Sequence, residues 1–103
     1  MTVYLVAYLR IHDRTRYAEY EAGFAEVFDR YGGTILAVDD DSVVLEGDGP
    51  TDRSVILSFP TETQALEWYR SDDYRTLAKH RHAASHAEVT LVRGGRNVKP
   101  HTL

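Results

Sequence analysis

Residues 55–74 constrain the fold more than any other stretch of this chain. The first five are largely apolar and predict a short, central, buried strand, which Pro60 ends because proline has no amide hydrogen to give to a sheet. Thr61 and Gln64 have the spacing of a capping box at the start of a helix. Ser71, followed by two aspartates, predicts the start of a second helix. The stretch therefore predicts strand, helix and helix in close succession.

The N-terminal half begins with a second strong pattern. Residues 3–11 alternate with period two and carry sizeable side chains on both faces, which predicts a central strand. Asp13 is a suitable N-cap for a helix that we expect to run through Tyr31 with an aromatic stripe toward the sheet. Gly32 and Gly33 then end it, one of them supplying a left-handed residue.

Two further strands are expected. Residues 34–38 resume an extended pattern, and residues 43–46 continue it as a small hairpin or an offset extension. The aspartates between them are interpreted as a solvated turn, since no calcium-loop spacing follows. Residues 88–93 form the last strand.

The resulting order, β-α-β-β-α-β, is the ferredoxin-like plan of an α+β domain, a four-stranded antiparallel sheet with helices on one face. We expect one domain over residues 1–95 and a polar tail over residues 96–103. Helices cover only one face of the sheet, but the first strand carries large side chains on both faces. We therefore expect a homodimer through the open sheet face.

Composition excludes several classes of function. The formal net charge of −4 comes from interspersed acids and bases, which argues against nucleic-acid binding. There is no cysteine, and no apolar run approaches the roughly 20 residues of a membrane helix. The first strand lacks the basic start of a signal peptide, so a cytoplasmic protein is expected. No phosphate loop or nucleotide fingerprint occurs, and no cofactor is predicted.

Motifs spread over nearly the whole chain resemble the DUF1330 family, whose members belong to the dimeric α/β-barrel superfamily. The matching residues are Tyr17, Tyr20, Gly32, Gly33, Leu36, Ala37, Leu45, Glu46, Gly47, Ser58, Phe59, Pro60, Ala65, Trp68, Tyr69, Ser71, Tyr74, Arg81, Ala83, Ala84, Leu91 and Val92. The resemblance implies a ferredoxin-like protomer whose sheet pairs with that of a second copy. It implies no activity, because the family has no settled reaction. More distant superfamily members include cofactor-independent monooxygenases, muconolactone isomerases and haem-binding proteins.

Arg81 is the most informative single residue. It lies seven residues after Tyr74 and four after Leu77, so the helical period points it toward the sheet with them. A buried guanidinium needs an anionic partner. One interpretation is a structural pair with Glu46, Asp13 or Asp73; the other is a site for a substrate carboxylate or enolate.

Five aromatic residues are expected to converge near Arg81 if the two helical regions lie side by side. The predicted substrate-binding set is completed by these rings: Tyr17, Tyr20, Trp68, Tyr69 and Tyr74. Together they would form an aromatic pocket with one cation, floored by the sheet. The alternative is that the rings are ordinary core with their hydroxyls satisfied at the rim.

Two residues are candidates for acid–base catalysis. Glu46 ends an apolar segment, and a carboxylate desolvated by aromatics would have a raised pKa suited to proton abstraction. The alternative is a structural salt bridge from Glu46 to Arg81. His12 follows the first strand and could lie at a pocket mouth, or simply on the surface.

The remaining histidines are interpreted as solvent-exposed. His82 and His86 are spaced by one helical turn and His80 lies off that face, which leaves no third ligand for a zinc site. No metal site is predicted.

Three functional hypotheses follow. The first is a cofactor-independent enzyme, an isomerase or monooxygenase, that acts on a small carboxylate or aromatic metabolite. The second is a dimeric binding or accessory module with the same pocket and no chemistry. The third is a structural dimer in which Arg81 and Glu46 satisfy each other and no cavity exists.

Overall fold

The computed structural model describes residues 1–49, 51–95 and 99–102. Its elements, in chain order, are β1 (Val3–Ile11), α1 (Arg14–Phe28), β2 (Thr34–Asp39), β3 (Arg53–Phe59), α2 (Glu62–Arg70), α3 (Asp72–Ala84), β4 (Ser85–Arg93) and a 3₁₀ turn, η1 (Pro100–Thr102). The predicted tail of residues 96–103 lies partly outside the described residues, which include only this short turn from it.

The four strands form one antiparallel sheet in the order β2-β3-β1-β4. This order confirms the ferredoxin-like α+β fold, with β1 in a central position between β3 and β4. Leu5 on β1 lies opposite Leu57 on β3 and Leu91 on β4, so one sheet face carries a continuous aliphatic row. The helices pack against that face, because it is where burial of apolar surface is greatest.

Local capping sets the helix starts as the sequence predicts. The Asp13 side chain accepts a hydrogen bond from the Arg16 amide at 3.0 Å, and the Thr61 hydroxyl accepts one from the Gln64 amide at 3.1 Å. The Ser71 hydroxyl both donates to the carbonyl of α2 at Trp68 and accepts from the first turn of α3. This one side chain therefore joins the end of α2 to the start of α3.

The predicted end of α1 at Tyr31 is wrong by three residues. The helix ends at Phe28, and the amide of Tyr31 donates to the Phe28 carbonyl, three residues back, at 3.1 Å. Such tighter bonds close a helix end without extending it. Gly32 then adopts a φ of 78°, the left-handed conformation expected of one glycine of the pair.

The predicted strand over residues 43–46 does not form. These residues lie in an exposed loop, where Val43 and Leu45 are 83% and 90% exposed. The outer edge of β2 stays free in the sheet that the described residues form, and the physical reason lies in side-chain contacts: Arg53 donates to Asp40 and the Ser42 hydroxyl donates to that of Ser54, which holds the chain after β2 at the start of β3. Two other strands begin earlier than predicted, β3 at Arg53 and β4 at Ser85.

The core between helices and sheet is strongly aromatic at one end. The rings of Phe28, Phe59 and Trp68 lie 5.4–5.6 Å apart, centroid to centroid, as a mutually packed triangle. Gly33 lies against this triangle, because a Cβ there would be 2.5 Å from Phe28 and 2.7 Å from Phe59. The packed triangle closes one end of the helix–sheet layer, and an open space remains toward the other.

Candidate ligand-binding site

A cavity of about 300 Å³ lies between the helices and the sheet. Its floor is aliphatic and comes from all four strands: Leu5, Ala7, Leu9, Ile35, Val38, Val55, Leu57 and Val89. Its walls come from the helices and include all six residues that the sequence predicts for substrate binding: Tyr17, Tyr20, Trp68, Tyr69, Tyr74 and Arg81. The helices α1 and α3 do lie side by side, which is what brings these side chains together.

Arg81 is buried in this wall without an anionic partner. Its exposed fraction is 6%, and no carboxylate oxygen lies within 4.0 Å of its guanidinium among the described residues. Its contacts are with neutral groups: the guanidinium carbon lies 5.8 Å from the centroid of the Tyr20 ring, one nitrogen lies 3.4 Å from Nε2 of His82, and the Tyr74 hydroxyl lies beside it. These contacts compensate only part of the cost of taking a cation out of water.

Each structural partner predicted for Arg81 is engaged or placed elsewhere. Glu46 is exposed in the loop after β2, and Asp13 caps the start of α1. Asp73 forms an ion pair with Arg30 at 2.6 Å. None of the three predicted pairs forms, so the structure does not contain the closed arrangement that the structural-dimer hypothesis needs.

Two tyrosine hydroxyls beside Arg81 form a buried hydrogen bond. The oxygens of Tyr20 and Tyr74 lie 2.6 Å apart, and either can be the donor. One hydrogen of the pair is used between them, so the accepting hydroxyl keeps its own hydrogen for another acceptor. The indole N–H of Trp68 is also shielded and without an acceptor among the described residues. This part of the protein therefore has more donors than acceptors.

Burial raises the pKa of both phenols, which are neutral at physiological pH. The pKa of Tyr20 is raised well above its ordinary value by burial and by the adjacent Tyr74. Burial likewise raises the pKa of Tyr74, although Arg81 opposes the shift. Burial opposes the charge of Arg81, and the pKa of Arg81 is nevertheless raised because Tyr74 and Tyr20 attract it once they ionise at high pH; at physiological pH the neutral phenols do not supply that attraction. The site thus presents one permanent cation among neutral donors.

A second arginine, Arg53, also lines the cavity, although the sequence analysis did not predict it as a site residue. Arg53 lies 5.5 Å from the centroid of the Tyr17 ring, and its guanidinium is paired with Asp40 at 2.6 Å and with Glu21 at 3.2 Å. The hydrogen bond to Asp40 raises the pKa of Arg53 and lowers that of the carboxyl. Unlike Arg81, this cation is fully compensated.

The sequence carries a signal for Arg53 and for its partner Glu21, neither of which was predicted as a site residue. Arg53 has the same parity as Val55 and Leu57, which face the helices, but the strand was predicted to begin only at Val55. Glu21 follows Tyr17 by four residues and so shares its helix face. It is the one carboxylate among the described residues that line the cavity.

Neither residue predicted for acid–base catalysis lines the cavity. Glu46 lies in the exposed loop rather than at a strand end, and His12 is exposed where β1 ends, its amide donating to the Ala84 carbonyl at 2.9 Å. The protomer does not bring either side chain to Arg81.

Two of the three histidines predicted to be exposed, His82 and His86, are exposed, but they do not share a helix face as their spacing would allow. Because α3 ends at Ala84, His86 lies on β4, whereas His82 is still on the helix, and both are exposed. His80 faces α1, with Nδ1 3.0 Å from a Glu19 carboxylate oxygen. Within residues 1–49, 51–95 and 99–102, no three potential ligands from His, Cys, Asp or Glu are grouped as a metal site would need. No helix in the described part of the chain is long and apolar enough to cross a bilayer.

Sheet order, helix placement and cavity define a ferredoxin-like α+β protein with a partly open cavity between its two layers. The chain belongs to the DUF1330 family: the model for "Domain of unknown function (DUF1330)" matches residues 2–95. The resemblance seen in the sequence is thereby confirmed. No curated protein matches the chain.

Solved structures support the fold. RPA0582 of Rhodopseudomonas palustris, a protein of unknown function, is 23% identical and superposes with a TM-score of 0.79 over 92% of this chain and 83% of its own. A dimeric ferredoxin-like protein of unknown function from Thermobifida fusca is 12% identical, with a TM-score of 0.65 over 88% and 89%. SnoaB of Streptomyces nogalater, a cofactor-independent oxygenase, is 18% identical, with a TM-score of 0.58 over 96% and 97%. At these identities the similarity concerns the fold alone.

Proposed function

We propose that this protein binds a small organic anion with an apolar, preferably aromatic, body in the cavity between helices and sheet. Arg81 holds the anionic group, either a carboxylate or an enolate, and the aromatic walls enclose the rest. The observation that carries the proposal is the unpaired Arg81, buried to 6% exposure in a cavity wall. A buried cation costs several kcal/mol unless an anion accompanies it, and a ligand is the anion that the protomer itself lacks.

The cavity supports binding more directly than catalysis. Catalysis by Glu46 or His12 would need a second copy of the chain to bring one of them to the cavity, whereas binding needs only the protomer. A cofactor-independent enzyme must stabilise negative charge on its substrate with its own residues, and Arg81 offers that stabilisation. The fold shared with SnoaB is compatible with such chemistry. Binding without turnover is the alternative, and Glu46→Gln, assayed for turnover and for binding, separates the two.

A ligand series tests the proposal. Thermal shifts are measured with benzoate, phenylacetate and 1-naphthoate, each compared with its neutral amide. Because Trp68 is the only tryptophan of the chain and lines the cavity, its fluorescence reports the same binding directly. We expect the carboxylates to raise the melting temperature and the amides to have little effect.

Variants locate the bound anion. Arg81→Lys keeps the charge but loses the bidentate geometry, and a lost charge-assisted hydrogen bond of about 1.5–3 kcal/mol corresponds to roughly 10- to 100-fold weaker binding. The matched control is Arg14→Lys, the same substitution at an exposed arginine that does not line the cavity. Equal responses of the wild type to carboxylates and amides, or unchanged binding by Arg81→Lys, would refute the proposal.

We further propose that the protein is a homodimer through the open sheet face. That face carries exposed apolar side chains that the helices do not cover: Tyr8 (49% exposed), Ile56 (36%) and Val92 (45%). Register places Val6 directly opposite Ile56 and Tyr4 opposite Val92, so the side chains form one continuous patch. Such a patch is typical of an interaction surface, and the related structure from Thermobifida fusca is described as dimeric.

A further inference from the structure

The Arg81 cavity adjoins surfaces of opposite electrostatic character. On the β2 side, Arg53 is neutralised by Asp40 and Glu21, so an approaching anion meets a compensated cation. On the β4 side lies a groove of about 670 Å³ between α2, α3 and the sheet. Groove and cavity share four wall residues: Leu5, Tyr69, Tyr74 and Val89.

The groove has uncompensated positive charge at its rim. Arg70, Arg75 and Lys79 line it, and none of them has a carboxylate within 4.0 Å among the described residues. No aspartate or glutamate of the described chain lines the groove. His82 also lines it, but burial and the adjacent Arg81 lower its pKa, so it adds no charge at neutral pH. The three cations stand out in a chain whose net charge is −4.

A shallower depression on the same side reaches Arg81 directly. It measures about 410 Å³ and is lined by Tyr69, Arg81, His82, Ser85, His86, Ala87 and Val89. No described acidic residue lines it either. Tyr69, half-buried in the last turn of α2, is therefore a wall of the cavity, the groove and the depression at once.

We propose that the anionic ligand enters from the β4 side, steered by Arg70, Arg75 and Lys79, and passes Tyr69 to reach Arg81. This inference rests on the proposed function, since it concerns the route to the same site. The three guiding side chains are exposed. Exposed charges that do not touch the bound ligand act on its approach, and they raise association rates by about 10- to 1,000-fold in favourable cases. Their contribution to affinity is therefore expected in the association rate, and that of Arg81 in the dissociation rate.

Stopped-flow fluorescence of Trp68 with 1-naphthoate as the probe separates the two contributions. Lys79→Glu is compared with Lys99→Glu, which changes the net charge equally but does not line the groove. At low salt we expect Lys79→Glu to slow association by roughly three- to tenfold, with an unchanged dissociation rate. The difference from Lys99→Glu should nearly vanish at about 0.5 M salt, where exposed charges are screened. Tyr69→Ala should speed both association and dissociation.

The outcomes distinguish the two proposals. If Arg81→Lys weakens binding but Lys79→Glu and Lys99→Glu associate equally fast at low salt, the entry route is wrong and the binding site stands. If Lys79→Glu instead weakens binding by raising the dissociation rate, Lys79 contacts the bound ligand directly, and steering is also ruled out. Rates unaffected by Tyr69→Ala exclude passage beside that ring. If the wild type binds no carboxylate of the series, both proposals fall.

Discussion

Replacing Arg81 by methionine tests whether this cation is present for binding or for stability. Methionine has a similar length, fills irregular space and carries no charge. A buried arginine that belongs to an ion pair costs about 3–5 kcal/mol when the pair is broken. Arg81 has no such pair: its neighbours are neutral, namely the Tyr20 ring at 5.8 Å, a His82 nitrogen at 3.4 Å and the Tyr74 hydroxyl.

The expected change in stability follows from these contacts. Loss of the contact with the Tyr20 ring costs about 0.5–2 kcal/mol, and relief from burying an unpaired charge offsets it by a comparable or larger amount. In the absence of ligand, the free energy of unfolding of Arg81→Met should therefore remain within about 1 kcal/mol of the wild type or exceed it. Stabilisation by 1-naphthoate should be lost.

Urea unfolding at pH 7, followed by Trp68 fluorescence with and without 1-naphthoate, measures both quantities. The matched control is Arg53→Met, the same substitution at an arginine whose side chain is 15% exposed and paired with two carboxylates. The free energy of unfolding of Arg53→Met should fall by about 1–3 kcal/mol, because the half-exposed carboxylates of Asp40 and Glu21 lose their cation. If Arg81→Met instead loses 3 kcal/mol or more and still responds to the ligand, Arg81 is a structural residue and the binding argument fails.

Three further predictions concern stability and assembly. Tyr20→Phe should lower the free energy of unfolding at pH 7 by about 1–3 kcal/mol, because the Tyr74 hydroxyl loses its partner. The pKa of Tyr20 is raised in the folded protein, so its contribution to stability is complete below the unfolded value of about 10 and is lost as pH rises through the folded pKa. The free energy of unfolding, measured by urea titration from pH 7 to 11, should therefore fall less steeply with pH in Tyr20→Phe than in the wild type. Ile56→Glu should give monomers in sedimentation velocity, whereas the control Val43→Glu, in the exposed loop, should remain a dimer like the wild type. A monomeric wild type at micromolar concentration would contradict the proposed interface. Gly33→Ala should cost about 1–3 kcal/mol, since its Cβ would come within 2.5 Å of a core ring, and an unchanged melting temperature would show that the rings can yield.

Most of the fold was predictable because its signals are local. The alternation over Val3–Ile11, the caps at Asp13, Thr61 and Ser71, and the left-handed Gly32 each depend on the geometry of a few consecutive residues. The hydrogen bonds that start or end these elements join groups only a few residues apart, so the local sequence is enough to predict them. The three-residue error at the end of α1 arose where helical and tighter hydrogen bonds differ little in energy.

The candidate site was predictable only in its helical part. The inward position of Arg81 followed from its spacing to Tyr74, and the aromatic residues followed from theirs. The partner of Arg81 did not follow, because the distance between two charges far apart in the sequence depends on how the layers pack. Glu46 was placed near Arg81 on the expectation that residues 43–46 continue the sheet, and they do not, because Asp40 and Ser42 are held at the start of β3 by Arg53 and Ser54.

The sequence by itself determined the four strands that form, except where β3 and β4 begin, together with the capped helices and the direction in which Arg81 points, since periodicity and capping act over one or two turns of chain. Only the tertiary structure decided that Arg81 has no carboxylate beside it, that Arg53 has two, and that the cavity adjoins a basic groove. Electrostatic compensation depends on distance in space rather than in sequence, so it is settled only when helices and sheet have packed together.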